Sequence, residues 1–299
     1  MATYHPEALL GSDDPGPWGS PVPVTYDRRD VLLYAVGIGC RDLRHIYEGH
    51  PQFAVFPTFA IRWGSLGVQI DPKALPPSPG PLTIDAERHL TQLAPLPLPA
   101  EGAPVTVQVR SRLLAVHPRG KGASFTEFET EVLDAGGQVC IRIVTGIFRR
   151  GVAQLGDIEP FTGRGRTQSV KLDVPARAPD LQLSVPIPSN QAEIYRLSGD
   201  YNPLHIDPAA ARTGGFDAPI LHGLCTYGHC GQQLLGALAG GEPARFGGLK
   251  LRFASPVLPG DTLQLRAWHD GPGRVLFDGR VADERGERTV VSNAFFEYR

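Results

Sequence analysis

Strands that alternate apolar and polar residues recur in two blocks of this chain, and each block comes after a helix-like segment. In the later block, "LKLRF", "LQLRAW" and "VLFDGRV" all alternate. Successive side chains of a strand point to opposite faces, so these strands are apolar on one face only. That face needs a cover. The segment "PILHGLCTYGHCGQQLLGAL", Pro219 to Leu238, is the candidate: it is rich in Leu, Ile, Ala and Gly, as suits a helix held close to a sheet. The earlier block shows the same order. "YDRRDVLLYAVGIG" places Val31, Leu32, Tyr34, Ala35 and Ile38 at near-helical spacing, with Asp27 or Asp30 as N-cap. The strands "VTVQVRSRLLAVHP" and "SFTEFETEVLDAGGQVCIRIVTGIFRR" follow, the second folding back at Gly136 and Gly137. A long helix cupped by a twisted antiparallel sheet is an α+β arrangement. Two such units in tandem either share a continuous sheet or pack back to back.

The length, 299 residues, suits two domains at roughly 100–200 residues each. The densest irregular stretch, with five Pro and four Gly in residues 149–190, separates the blocks. The expected division is residues 1–150, a linker over 151–182, and residues 183–299. A formal net charge of −2 offers no basic field for nucleic acid and no polybasic anchor for a membrane. There is no run of about 18 apolar residues to span a bilayer. The first residues lack the basic start and apolar run of a signal peptide, and "FFEYR" is not a peroxisomal address. Cys40, Cys140, Cys225 and Cys230 are too few and too irregular for a disulfide scaffold. They read as buried thiols, and the expected setting is the cytoplasm.

The densest chemistry lies in "SGDYNPLHID", Ser198 to Asp207. Upstream, "SNQAEIYRLSGD" reads as a short helix with Asn190 and Glu193 as a capping box and Gly199 as its left-handed end. Pro203 disfavours helical geometry at Asn202. Asp207 followed by Pro208 starts a second helix, "PAAART", that ends at Gly214 and Gly215. A stiff loop between two helices therefore presents Asp200, Asn202 and His205. Local physics leaves two readings open: polar residues doing turn chemistry, or reactive groups displayed on a rigid scaffold.

The stretch "YRLSGDYNPLHIDPAAARTGGFDAPILHGL" closely resembles the signature of the MaoC-like family, the (R)-specific 2-enoyl-CoA hydratases. Tyr195, Gly199, Asp200, Asn202, Pro203, His205, Gly215, Phe216, Pro219, His222 and Gly223 fall on its pattern. "RDVLLYAVGIG", "FPTFAIRWG", "PLPLPAEG", "RGKGASFTEFETEV" and "LKLRFASPVLPGDTL" resemble further blocks of the two-repeat hydratase 2. The resemblance implies a double hot-dog fold, each repeat a long helix wrapped by an antiparallel sheet. It implies that Asp200 and His205 form a catalytic dyad acting on an acyl-CoA without a cofactor, that Gly223 N–H stabilises the thioester oxygen, and that Asn202 braces the loop. Tyr195, Phe216 and His222 are expected on the substrate side. No Asp-x-Asn-Pro-x-His occurs in the first half. One site per chain is therefore expected, with the first repeat taking the acyl chain and Phe56 and Phe59 lining its tunnel. Members tend to form homodimers.

Other chemistries fit less well. His222, Cys225 and His229 cannot share a zinc at about 2.0–2.3 Å, because helical residues seven apart are about 10 Å apart along the axis. No G-x-S-x-G elbow and no phosphate-cradling Gly-Lys-Ser/Thr loop occur. Lys250 and Arg252, two apart on a strand, share a face that either meets the phosphates of CoA or is simply solvated. Dehydration or hydrolysis of a carrier-bound acyl chain, and a non-catalytic acyl-thioester-binding subunit, remain as alternatives.

Overall fold

The computed structural model describes residues 15–69, 75, 83–119, 123–150, 165–283 and 286–299. Ten strands form one sheet. Those of the first half are β1 (Val22–Tyr26), β2 (Thr83–Gln92), β3 (Val105–Arg119), β4 (Ala123–Leu133) and β5 (Val139–Arg149). Those of the second are β6 (Leu181–Pro186), β7 (Phe246–Phe253), β8 (Thr262–His269), β9 (Arg274–Asp283) and β10 (Gly286–Tyr298). The spatial order is β1-β3-β4-β5-β2-β7-β10-β9-β8-β6, and neighbouring strands are antiparallel throughout. Each half therefore has the same order, and the two are joined edge to edge through β2 and β7, with Leu90 opposite Leu249. Of the two sequence expectations, the continuous sheet is the one adopted. The joint leaves no free edge between the repeats.

The helices lie on one face. Asp27 caps α1 (Arg28–Gly37), and Asp30 answers as its capping-box partner. A one-turn helix, α2 (Leu43–Ile46), follows. In the second half come α3 (Gln191–Tyr195), α4 (Pro208–Thr213) and α5 (Gly223–Ala239). The segment expected to be helical from Pro219 begins its helix at Gly223, with His222 in the N-cap position. α5 is clamped on two sides. The Tyr227 hydroxyl donates to Leu249 O of β7 at 2.5 Å. On the other side Ile38, Phe56 and Thr58 approach the helix at Gly228 and Gly231.

The two repeats differ in what covers the sheet. In the second, α5 is the long helix expected. In the first, the described residues between α2 and β2 hold a short 3-10 helix, Phe59–Trp63, and no long helix. Phe59 is fully buried in an aromatic cluster with Tyr26, Tyr34 and Trp63. Both repeats thus drain into one core around α5, and the first supplies wall rather than a second central helix. No helix among the described residues is long and apolar enough to cross a membrane.

The opposite face of the sheet is also covered. Residues 168–177, inside the expected linker, run across it. Gln168 N donates to Glu127 Oε1 (2.8 Å), Ser169 Oγ to Glu87 Oε1 (2.7 Å), and Leu172 N to Asn293 Oδ1 (3.0 Å). The Trp268 indole then donates to Arg177 O (2.9 Å). Residues 151–164 of the linker lie outside the described residues.

Candidate active site

The loop between α3 and α4 is shaped residue by residue. α3 runs on into a 3-10 turn, Arg196–Ser198, which Gly199 ends at φ +116°, a conformation that glycine adopts without strain. Asn190 occupies the N-cap of α3, but its side chain makes no capping bond. After Gly199 the chain turns twice on its own side chains. Asn202 N donates to Asp200 Oδ1 (3.2 Å), and Leu204 N donates to Asn202 Oδ1 (3.1 Å). Asn202 thus caps the turn that follows it with its own side chain. A second 3-10 turn, Pro203–His205, delivers His205, and Asp207 then caps α4 by accepting from Ala209 N (2.8 Å).

This brings Asp200, His205 and His222 together, with one ligand atom of each lying within 4.8 Å of the other two. The His205 and His222 rings stack at 3.7 Å between centroids and 26° between planes. His205 Nδ1 lies 2.8 Å from Ile220 O. A carbonyl only accepts, so Nδ1 carries the hydrogen and Nε2 holds a lone pair. Burial pulls the His205 pKa below its usual value, partly opposed by the Ile220 bond and by the Asp200 charge. At neutral pH the ring is therefore an uncharged base.

His222 behaves differently. It is 1% exposed, and its Nε2 lies 3.2 Å from Asp200 O, so Nε2–H donates and fixes that peptide. Burial, with the neighbouring His205, pushes its pKa down to about 4. It was expected on the substrate side. It instead underlies His205 and holds the loop from beneath. Tyr195 lies in the same layer, 1% exposed, with its ring 4.9 Å from that of His222. The three-residue cluster has spacing a cation could accept, but two stacked imidazoles direct their in-plane lone pairs side by side rather than to one point, and His222 Nε2 is already engaged.

Gly223, the first residue of α5, has an N–H with no partner inside the helix. It adjoins His222, so the positive end of α5 lies next to the ring that stacks on His205. A Cβ at this position would come within 3.3–3.4 Å of the Phe253 ring, and glycine alone lets that ring pack against the backbone.

Other expected residues lie elsewhere. Lys250 and Arg252 alternate with Leu249 and Leu251, which face α5, so they point to the opposite side of the sheet. Lys250 is 2% exposed, and its Nζ lies 3.3 Å from Glu87 Oε2. Arg252 pairs with the other oxygen of the same carboxylate. The burial of Lys250 rules out both expected readings for it, whereas Arg252 keeps 42% of its side chain exposed. They neutralise a buried glutamate under the linker, and alternation placed them together without saying on which face. Phe216, half-buried, packs at the end of α4 beside Gly214. Phe56 and Phe59 are buried at 2% and 0%, as closed core.

Sequence reasoning passed over Arg62, the one charge in the apolar "FPTFAIRWG" block. Its Nη1 donates to Ser198 O at 2.6 Å, across the two repeats. The available signal was that a cation set in an apolar run needs a reason to be there.

Residues 170–291 match the MaoC like domain family, and residues 24–151 match the MFE-2 hydratase 2 N-terminal domain. The chain is 32% identical over 276 residues to the probable enoyl-CoA hydratase 2 of Dictyostelium discoideum, covering 87% of each. It is 34% identical over 262 residues to the peroxisomal hydratase-dehydrogenase-epimerase of Neurospora crassa, covering 87% of this chain but 28% of that one. The crystal structure of a MaoC-like dehydratase from Phytophthora capsici superposes with a TM-score of 0.81 at 34% identity, covering 96% of both chains. The fold is the double hot-dog, and the similarity to enoyl-CoA hydratase 2 sequences places the chain in the hydratase/dehydratase class. The chain belongs to the MaoC-like family, in its two-repeat, hydratase 2 form.

Proposed function

We propose that this protein is an (R)-specific 2-enoyl-CoA hydratase, adding water reversibly and syn across a trans-2 double bond to give (3R)-3-hydroxyacyl-CoA. The observation that carries the reading is geometric: His205 Nδ1 is fixed on Ile220 O, which leaves Nε2 free to accept a proton, and a ligand atom of His205 lies within 4.8 Å of one of Asp200. Asp200 holds a water, and His205 Nε2 takes its proton as the oxygen bonds to C3. The π electrons shift through C2 onto the thioester oxygen, which the Gly223 N–H and the start of α5 stabilise; one such donor is worth roughly 3–4 kcal/mol. The electrons return to C2 as the dyad delivers a proton there. Run backwards, the same steps dehydrate a 3-hydroxyacyl thioester. No step calls for a cofactor.

A homodimer in the cytoplasm is the proposed working form; four free, buried cysteines fit a reducing compartment. The test of activity is loss of enoyl-thioester absorbance when the protein is added to crotonyl-CoA and to longer 2-enoyl-CoAs. No loss at any chain length, carrier-bound substrates included, would defeat the proposal.

A further inference from the structure

Arg62 is the side chain of the first repeat that reaches the catalytic loop most directly. It closes the 3-10 turn Phe59–Trp63, and its neighbours Phe59, Ile61 and Trp63 are buried in the core. Its guanidinium turns the other way. Nε donates to Phe59 O (3.2 Å), Nη1 donates to Ser198 O (2.6 Å), and Cζ lies 4.2 Å from the centre of the Phe59 ring. Among the described residues no carboxylate pairs with it. Burial disfavours the charged form of this guanidinium, as expected for an arginine held away from a counter-ion. Such an arrangement persists where the cation does something there.

Ser198 is the last residue of the helical run that starts at Gln191. The final carbonyls of a helical run have no partner inside it, and they carry the negative end of its dipole. Arg62 satisfies one of them with a charged donor. The next residue, Gly199, is the left-handed hinge, and Asp200 follows it. One peptide plane thus separates the Arg62 bond from the residue proposed to hold the water. The same peptide region is held from the other side by His222 Nε2 on Asp200 O. Two bonds, one from each repeat, therefore bracket the hinge. The Ser198 and Tyr195 hydroxyls beside it are buried without hydrogen-bond partners, so they supply no competing anchor.

We propose that Arg62 is a positioning residue: it fixes the Ser198–Gly199 hinge from the first repeat and so sets where Asp200 stands relative to His205. The repeat without the catalytic motif thereby contributes to catalysis through the loop of the other, without touching substrate. The inference rests on the proposed hydration at Asp200 and His205. It also makes a claim about loop order that holds whatever the reaction is.

The test compares the wild type with Arg62→Met, which keeps the apolar stem and loses charge and donors, and with Arg62→Lys, which keeps the charge but cannot reach both carbonyls. Two quantities are read: kcat and KM for a 2-enoyl-CoA, and amide hydrogen exchange over residues 199–205. Arg62→Met is expected to lower kcat at least tenfold with KM within about twofold, and to speed exchange in that segment. Arg62→Lys is expected to fall between it and the wild type. A kcat per folded molecule equal to wild type overturns the proposal even if the variant melts earlier, because wall packing alone predicts that result. A rise in KM alone also overturns it, since Arg62 would then bind substrate. If Arg62→Met does not fold, Arg62→Lys decides: unchanged kcat and unchanged exchange reject the clamp. If the wild type hydrates nothing, the hydratase reading fails, and the exchange comparison still tests the clamp by itself.

Discussion

At the scale of single residues, protonation state separates the two stacked histidines. His205 keeps a usable lone pair at Nε2, whereas His222 spends its Nε2–H on the Asp200 peptide. Replacing His205 by Ala, or Asp200 by Asn, should lower kcat by roughly 10²–10⁴, the usual worth of a positioned acid or base. Circular dichroism should show both variants folded. The folded-state pKa of His205 is depressed. Its base form therefore persists further into acid than that of an ordinary histidine, so the midpoint of the acid limb of the hydration rate should lie below pH 6.5. An acid limb above pH 6.5 would contradict the assignment. Lys250 makes the opposite kind of prediction. Removing it leaves the buried Glu87 carboxylate with one partner fewer, though Arg252 and Ser169 still hold it, so Lys250→Ala should cost about 1.5–3 kcal/mol of stability in denaturant titration. KM for the CoA substrate should not change. The Asp200, Asn202 and His205 loop was legible in the sequence because Gly, Pro and Asx residues encode turns locally. The burial of Lys250 was not, because period-two alternation fixes which residues share a face and leaves open what covers it.

At the scale of elements, α5 shows how close approach outweighs helix propensity. Alanine is better than glycine inside a helix by about 1 kcal/mol. Yet a Cβ at Gly228 would run into Ile38, at the end of α1. Overpacking of this kind costs about 1–3 kcal/mol, so Gly228→Ala should lower Tm rather than raise it. A variant that melts higher would show that α1 can move aside. The glycines of "LCTYGHCGQQLLGAL" signalled a closely wrapped helix, and that expectation matches the packing. The first repeat was harder to read. Its "FPTFAIRWG" block is apolar enough for a tunnel or a core, and composition cannot tell them apart. The contacts decide it: Phe59 lies edge-on to Tyr34 and Trp63 with no exposed surface.

At the scale of the whole molecule, the edge-to-edge joint of β2 and β7 makes the two repeats one sheet around a shared core. The second repeat supplies the loop and the helix, and the first supplies the wall against which both are held. The repeated order of elements made two like halves legible, while their union in one ten-stranded sheet needed the register of β2 on β7. Global stability should also carry the mark of buried neutral histidines. His89, His222 and His229 are each pushed down to about 4 by burial. Unfolded, each takes up a proton near pH 6.5, so between pH 6.5 and 4 the unfolded chain binds more protons and stability falls as pH falls. The loss is on the order of 3 kcal/mol for each histidine. Urea midpoints measured across that range should drop steadily, and a flat profile would contradict the burial of these rings.

The central claim is that water adds to a 2-enoyl-CoA from the face set by Asp200 and His205. The most direct measurement is hydration of a trans-2-enoyl-CoA followed by chiral analysis of the product. The expected result is (3R)-3-hydroxyacyl-CoA, formed by the wild type and not by Asp200→Asn or His205→Ala. A (3S) product, or undiminished turnover in either variant, would contradict it.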